Sequence, residues 1–262
     1  MADDHHGTDP AESDDKHGPP HGYTDTGSHA LPGGVTVAVD GLQLEASETR
    51  IKPRESHEWT YQIRNEEGTA IRRFQETHDQ LAHLILIRRD LTRFQHLHPE
   101  LAEDGTWSVE FTLPDPGVYR AFVDVLVDGR PTTLGTDLFA SGSANYEEPP
   151  RSSRVATTNG YDIELSPENI PAEKDLTLEF GFSQDGGVPQ LEPYLGALGH
   201  LVALRDGDLA YLHVHPEETD PEDGVVQFTV RFPTASRYRL FLQAKPDGEL
   251  ITTSFDVQAM ER

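Results

Sequence analysis

Leu91–Pro99 (LTRFQHLHP) and Leu209–Pro216 (LAYLHVHP) carry one pattern twice: an aromatic residue, one intervening residue, then His-x-His-Pro. His83 stands thirteen residues before His96, and His200 stands thirteen before His213. The offset between the copies, 213 minus 96, is 117 residues. A fixed offset shared by several residues of one type marks an internal repeat, and everything else is organised around it.

The local geometry follows from strand chemistry. Leu201–Arg205 and Asp208–His215 are rich in apolar, β-branched and aromatic residues and are separated by Asp206-Gly207, a strong hairpin signal. A two-residue turn pairs Arg205 with Asp208 and sets His200 opposite His213. In copy one the same counting from Arg89-Asp90 sets His83 opposite His96. Opposed strand residues share a face, and side chains repeat with period two. So His83, His96 and His98 are expected on one face of the first hairpin, and His200, His213 and His215 on one face of the second. Three converging imidazoles suit a borderline divalent metal such as copper or zinc and leave a coordination position open. The competing reading is of partly buried strand histidines bonded to backbone or carboxylates.

Composition limits the alternatives. Lys+Arg total 21 against 46 Asp+Glu, a formal charge of −25, which opposes nucleic acid or an anionic membrane surface as partner. With no cysteine, disulfides, thiolate metal sites, iron–sulfur clusters and thiol catalysis are excluded. Met1 and Met260 are distant in sequence from the histidine motifs, which disfavours thioether copper(I) sites, and blue-copper centres lack their cysteine. No apolar run is long enough to span a bilayer and no signal peptide is visible. The opening reads as a mature protein restarted at Met1.

Residues 1–32 are rich in Asp, Gly, Pro and His and are expected to be a disordered tail. His5, His6, His17, His21 and His29 give it the means to collect divalent ions weakly. Residues 33–142 form the first predicted domain, 143–157 a proline-bearing linker, and 158–262 the second domain. Short strands with regular turn signals and no long helical period predict an all-β chain of two tandem β-sandwiches. Beyond the histidine hairpins the offset becomes 119: Pro114 matches Pro233, Tyr119 matches Tyr238, and Phe122 matches Phe241.

The copies differ just before the first histidine of each motif. Copy one has Glu76, His78 and Asp79, where His78 is a candidate fourth ligand and Asp79 a supporting carboxylate. Copy two offers Glu192 and Tyr194 with two glycines. Pro193–His200 (PYLGALGH) through His213–Pro216 (HVHP) resembles a group of bacterial, often actinobacterial, exported or lipid-anchored proteins. These carry immunoglobulin-like or cupredoxin-like sandwich domains and are often encoded beside metal-transport genes. The resemblance spans about residues 33–258. It implies an extracytoplasmic location (periplasmic, secreted or lipid-anchored) and a link to copper or another transition metal; the expected partners are the metal ion and a metal transporter or acceptor protein. In that group a methionine often stands shortly before the first histidine, where this chain has Leu198, a departure that points away from copper(I).

Three functions therefore compete. The first is a metal-binding protein that buffers or delivers copper, with zinc as the alternative, at His83, His96, His98, His200, His213, His215 and His78; the repeat permits either two separate clusters or, if the open ends of the hairpins face each other, one shared site. The second is a metal-dependent enzyme of dinuclear copper type, for which no general base recurs at fixed spacing. The third is a structural or adhesive sandwich protein whose histidines only pack.

Overall fold

A computed structural model describes residues 32–148, 152–212 and 214–261, with the backbone but not the side chain of His215. The histidine tail expected at residues 1–32 lies, apart from Pro32, outside the described residues, as does His213. Residues 31–262 form one compact unit.

The first repeat contains β1 (Ala38–Val39), β2 (Leu42–Ala46), β3 (Arg50–Ile51), β4 (Ser56–Arg64), β5 (Ala82–Arg88), β6 (Gln95–Leu97), β7 (Glu100–Leu101), β8 (Thr106–Thr112), β9 (Gly117–Val127) and β10 (Arg130–Ala140). The second contains β11 (Val155–Thr158), β12 (Tyr161–Ser166), β13 (Ile170–Pro171), β14 (Asp175–Ser183), β15 (Leu191–Glu192), β16 (Gly199–Arg205), β17 (Tyr211–Leu212), β18 (His215–Pro216), β19 (Val225–Arg231), β20 (Arg237–Pro246) and β21 (Ile251–Met260). One 3-10 turn, Pro221–Asp223, is the sole helical element among the described residues.

Each repeat is a sandwich of two sheets with the same order. In the first these are β1-β2-β4-β8-β7 and β3-β10-β9-β5-β6. In the second they are β11-β12-β14-β19-β18 and β13-β21-β20-β16-β17, with β15 added beside β20. The chain is thus all-β, with two tandem immunoglobulin-like sandwiches related by an internal repeat. Alternation sets the inner faces: in β4 from Trp59 and in β14 from Leu178 every second residue is buried. Trp59, Tyr61, Trp107 and Tyr119 anchor the first core, and Phe180, Phe228, Phe232 and Phe255 the second.

A third core lies between the repeats. β5 (AHLILIR) is buried at every position, and its continuous apolar run is the signature of a strand covered on both faces. Ala82, Leu84 and Leu86 face their own sandwich. Ile85, Ile87, Leu91 and Phe122 instead pack against Val202, Leu204, Leu209, Tyr211 and Phe241 of the second repeat. The aromatic contacts cross over: Phe94 stacks on Phe241 with centroids 4.3 Å apart, and Tyr211 tilts on Phe122 at 5.5 Å. Buried Arg239 pairs with Asp256 and donates across the boundary to the Leu91 carbonyl at 2.7 Å.

The histidine hairpins depart from the expected register. Leu84 pairs with Leu97 and Ile85 with His96, while Ala203 pairs with Leu212. Each pairing is shifted by two residues from the two-residue-turn expectation. The cause is the turn itself. Asp90 accepts from the Arg88 guanidinium and from the Thr92 amide and hydroxyl, while Leu91 and Arg93 adopt positive φ. Asp208 likewise accepts from Arg205 and from the Ala210 amide. These side chains fix a wider turn. Because a shift of two preserves strand parity, His83 and His96 keep their common face.

Candidate functional site

The site sits at the edge of the inter-repeat core. β5 delivers His83, which is 1% exposed, and β6 delivers His96, with His98 just beyond it. One ring nitrogen from each of these three lies within 4.8 Å of the other two. The structure therefore brings together the first predicted trio. It also brings His200, carried by β16, into the same cluster: its ring centroid lies 4.6 Å from His96 and 5.4 Å from His83. His200 therefore stands beside the first trio, because the apolar faces of β5 and β16 pack on each other and carry both strands' histidines to one place. Of the remaining expected ligands, His213 and the His215 side chain lie outside the described residues. The backbone of His215 pairs with Thr229 in the sheet opposite β16.

His78 stands over the cluster, its ring centroid 6.0 Å from His83 and 5.5 Å from His200. It occupies a tight turn closed by reciprocal Thr77 and Gln80 hydrogen bonds, with positive φ at His78 and Asp79. The equivalent turn of the second repeat has positive φ at Leu195 and Gly196. Two consecutive left-handed positions favour Asn-Gly chemistry, so His78-Asp79 is a strained choice. The turns meet: a Cβ added at Gly196 would lie 3.3 Å from Asp79 Oδ2. Asp79 thus faces the second repeat's turn. Glu192 is tied to Lys245 at 3.3 Å.

The hydrogen bonds define which nitrogens are available. His83 Nε2 lies 3.0 Å from the Thr77 carbonyl, His83 Nδ1 lies 2.9 Å from His96 Nε2, and His96 Nδ1 lies 2.6 Å from Gln243 Oε1. Both ends of this chain are acceptors. Three hydrogen bonds between two acceptors need three protons, whereas two neutral imidazoles supply two. Burial holds His96 down to about 3, with further lowering from His83 and His98 and opposition from the Gln243 hydrogen bond. Burial, then His83, holds His98 down to about 4. The third proton is thus not retained on His96 at neutral pH. The Nε2 of His98 is buried with no hydrogen-bond partner among the described residues.

Gln243 was not legible as part of the site in sequence. It sits opposite His200 in the β16–β20 pairing, and its repeat equivalent Asp124 sits opposite His83 in the β5–β9 pairing. Asp124 accepts from Thr133, and Gln243 donates to Thr252, the equivalent threonine. A polar residue at offset 119, opposite the first cluster histidine of each copy and unlike in the two copies, was the available signal.

Two immunoglobulin-like sandwiches with a histidine cluster at their shared face define a class of two-domain β protein. The chain belongs to the family described as Domain of unknown function (DUF8832), which matches residues 37–141 and again residues 156–261. No curated protein matches the chain in sequence. Among solved structures, it is similar to FdeC, an Escherichia coli adhesin, at 13% identity and TM-score 0.29, covering 85% of this chain and 65% of that one. It is similar to InvD of Yersinia pseudotuberculosis at 11% identity and TM-score 0.30, covering 86% and 59%. It is also similar to invasin, described as a bacterial integrin-binding protein, at 16% identity and TM-score 0.26, covering 86% and 41%. The chain spans less than two thirds of the length of each of these proteins, and such scores carry no inference about function. No helix among the described residues is long and apolar enough to cross a membrane.

Proposed function

We propose that the protein binds a divalent transition metal, copper(II) foremost and zinc as the alternative, through His83, His96 and His98. The observation that carries this reading is the proton count between Thr77 and Gln243. Those acceptors fix the N–H groups on His83 Nε2 and His96 Nδ1, which leaves His83 Nδ1 and His96 Nε2 as lone pairs facing each other at 2.9 Å. A cation between them removes the conflict. Metal-bound histidines commonly donate their other N–H to a carbonyl, which holds the ring and its tautomer. The Thr77 and Gln243 oxygens stand where such acceptors belong. Two imidazole nitrogens on one tetrahedral ion lie about 3.3 Å apart, so the pair opens by roughly 0.4 Å on binding. Divalent affinity at nitrogen donors peaks at copper. Buffering or delivery outside the cytoplasm, with a transporter or acceptor protein as partner, is the role this proposal favours.

A second reading is favoured by Thr252. If the Gln243 amide is turned over, Nε2 donates to His96 and the Thr252 hydroxyl donates to Oε1, and the chain of hydrogen bonds closes without an ion. The cluster then only packs, and the protein is a structural or adhesive sandwich module.

The discriminating experiment titrates the full chain with copper(II) and with zinc(II) against a competing chelator, following copper by EPR. The expected result is a site with nitrogen hyperfine structure that disappears in His83→Ala and His98→Ala variants. Equal binding by the wild type and both variants would assign any bound metal elsewhere and leave the second reading.

A further inference from the structure

The three histidines of the first repeat leave open what completes the coordination sphere, and the second repeat answers. We infer that His200 is the fourth ligand and that the ion sits in an all-imidazole site built across the two repeats. This rests on the metal reading above and extends it from a three-histidine hairpin to a closed site between the two repeats, in the tetrahedral form that suits zinc, the alternative metal of that reading, better than copper(II), which prefers a tetragonal set.

The argument is geometric. Imidazole nitrogen binds a zinc-like ion at about 2.0–2.1 Å, and a ring centroid lies ~1.1 Å beyond its nitrogen, so four rings in a tetrahedron have centroids about 5.2 Å apart. His83–His96, His83–His98 and His96–His98 are separated by 5.1, 5.2 and 4.9 Å. His83–His200 and His96–His200 are separated by 5.4 and 4.6 Å. These five of the six edges scatter around the tetrahedral value, and the two that involve His200 are no further from it than about 0.6 Å; the ring nitrogens already within 4.8 Å of one another are those of His83, His96 and His98, so His200 joins them by turning its ring toward the trio. His78, at 6.0 Å from His83 and 5.5 Å from His200, lies at the outer margin and caps the site.

The strands support the same assignment. His200 pairs directly with Gln243 across β16 and β20, and Gln243 is the residue that holds His96. One rigid strand pair of the second repeat therefore supplies both a ring and the acceptor that orients a ring of the first. Sites with four protein ligands hold their ion, whereas catalytic sites keep a position for water or substrate. A closed four-imidazole site is therefore one that stores the ion or fastens the repeats together, and it opposes a hydrolytic or oxygen-activating role. Release then requires movement of the second repeat's strand away from the first.

Cobalt(II) is the probe, because four-coordinate tetrahedral cobalt absorbs visible light far more strongly than five- or six-coordinate cobalt. The full chain, its His200→Ala and His200→Gln variants, and His83→Ala are titrated with cobalt(II) and zinc(II) in the presence of a competing chelator. Urea unfolding of the metal-free proteins establishes which variants fold. The expected result is an intense tetrahedral spectrum in the wild type. A folded His200 variant should give weaker, higher-coordinate bands and at least a tenfold loss of zinc affinity. Wild-type spectrum and affinity in a folded His200 variant, with binding still lost in His83→Ala, would overturn the fourth-ligand assignment and leave the three-histidine site standing. No binding by the wild type would overturn the metal reading itself, and this inference with it.

Discussion

Lowering the pH of the metal-free protein from 7 to 5 perturbs the histidine cluster before it perturbs the carboxylates. His96 is held down to about 3 by burial, and His98 to about 4. In the unfolded chain both return to a reference pKa of about 6.5. Between these limits the unfolded state binds more protons than the folded state, so stability is full above pH 6.5 and falls as the pH drops toward the folded values. For a site that stays neutral when folded, integration from pH 7 to pH 5 gives a loss of about 2 kcal/mol. His96 should contribute nearly all of that, and His98, being more exposed, a discounted share. Asp90, lowered to about 2 although burial opposes the shift, stays ionised throughout because Arg88, Thr92 and the Glu147 amide hold its charged form. The assay is urea unfolding at pH 7, 6 and 5 with a chelator present, on the wild type and on His96→Gln. Every other histidine is common to the two proteins and cancels in the difference. The wild type should lose about 2 kcal/mol more than the variant over this interval. An equal loss in both would refute the buried, neutral state of His96 on which the proton count depends.

Two other perturbations test the supporting structure. Gln243→Leu removes the acceptor at His96 Nδ1 and should weaken metal binding about 10–100-fold without removing a ligand, as read by chelator competition; unchanged affinity would exclude that role for the amide. Phe241→Ala empties the stack on Phe94 in the inter-repeat core and should cost about 3–5 kcal/mol. The measurement is the urea midpoint, and a change below about 1 kcal/mol would mean that the repeats are not held together by this face.

The β content and the repeat were legible because strand chemistry is local. The apolar run after His83 reads as a strand from its own composition, and the His-x-His spacing places two rings on one face whatever the partner strand does. The register was not legible, because Asp90 and Asp208 widen their turns through side-chain hydrogen bonds that no dipeptide rule anticipates. The arrival of His200 beside His83 was not legible either. It depends on which outer face each sandwich offers, and residues such as Ile85, Phe122, Val202 and Phe241 look like ordinary core until the third core is seen. Gln243 escaped notice for the same reason, since its partner lies 147 residues away.

The crossed aromatic contacts, Phe94 on Phe241 and Tyr211 on Phe122, have the form of an isologous interface: each element meets the counterpart of its own partner. In a two-fold homodimer every substitution on such a surface appears twice, once in each protomer. Carried on one polypeptide, the same surface is freed from that constraint, and its halves can diverge. Asp124 and Gln243 occupy equivalent places, yet one carries a carboxylate and the other a neutral amide. Covalent tandem linkage thus permits a lopsided centre on a nearly symmetric frame, with a different chemical surrounding on either side of the same pseudo-dyad.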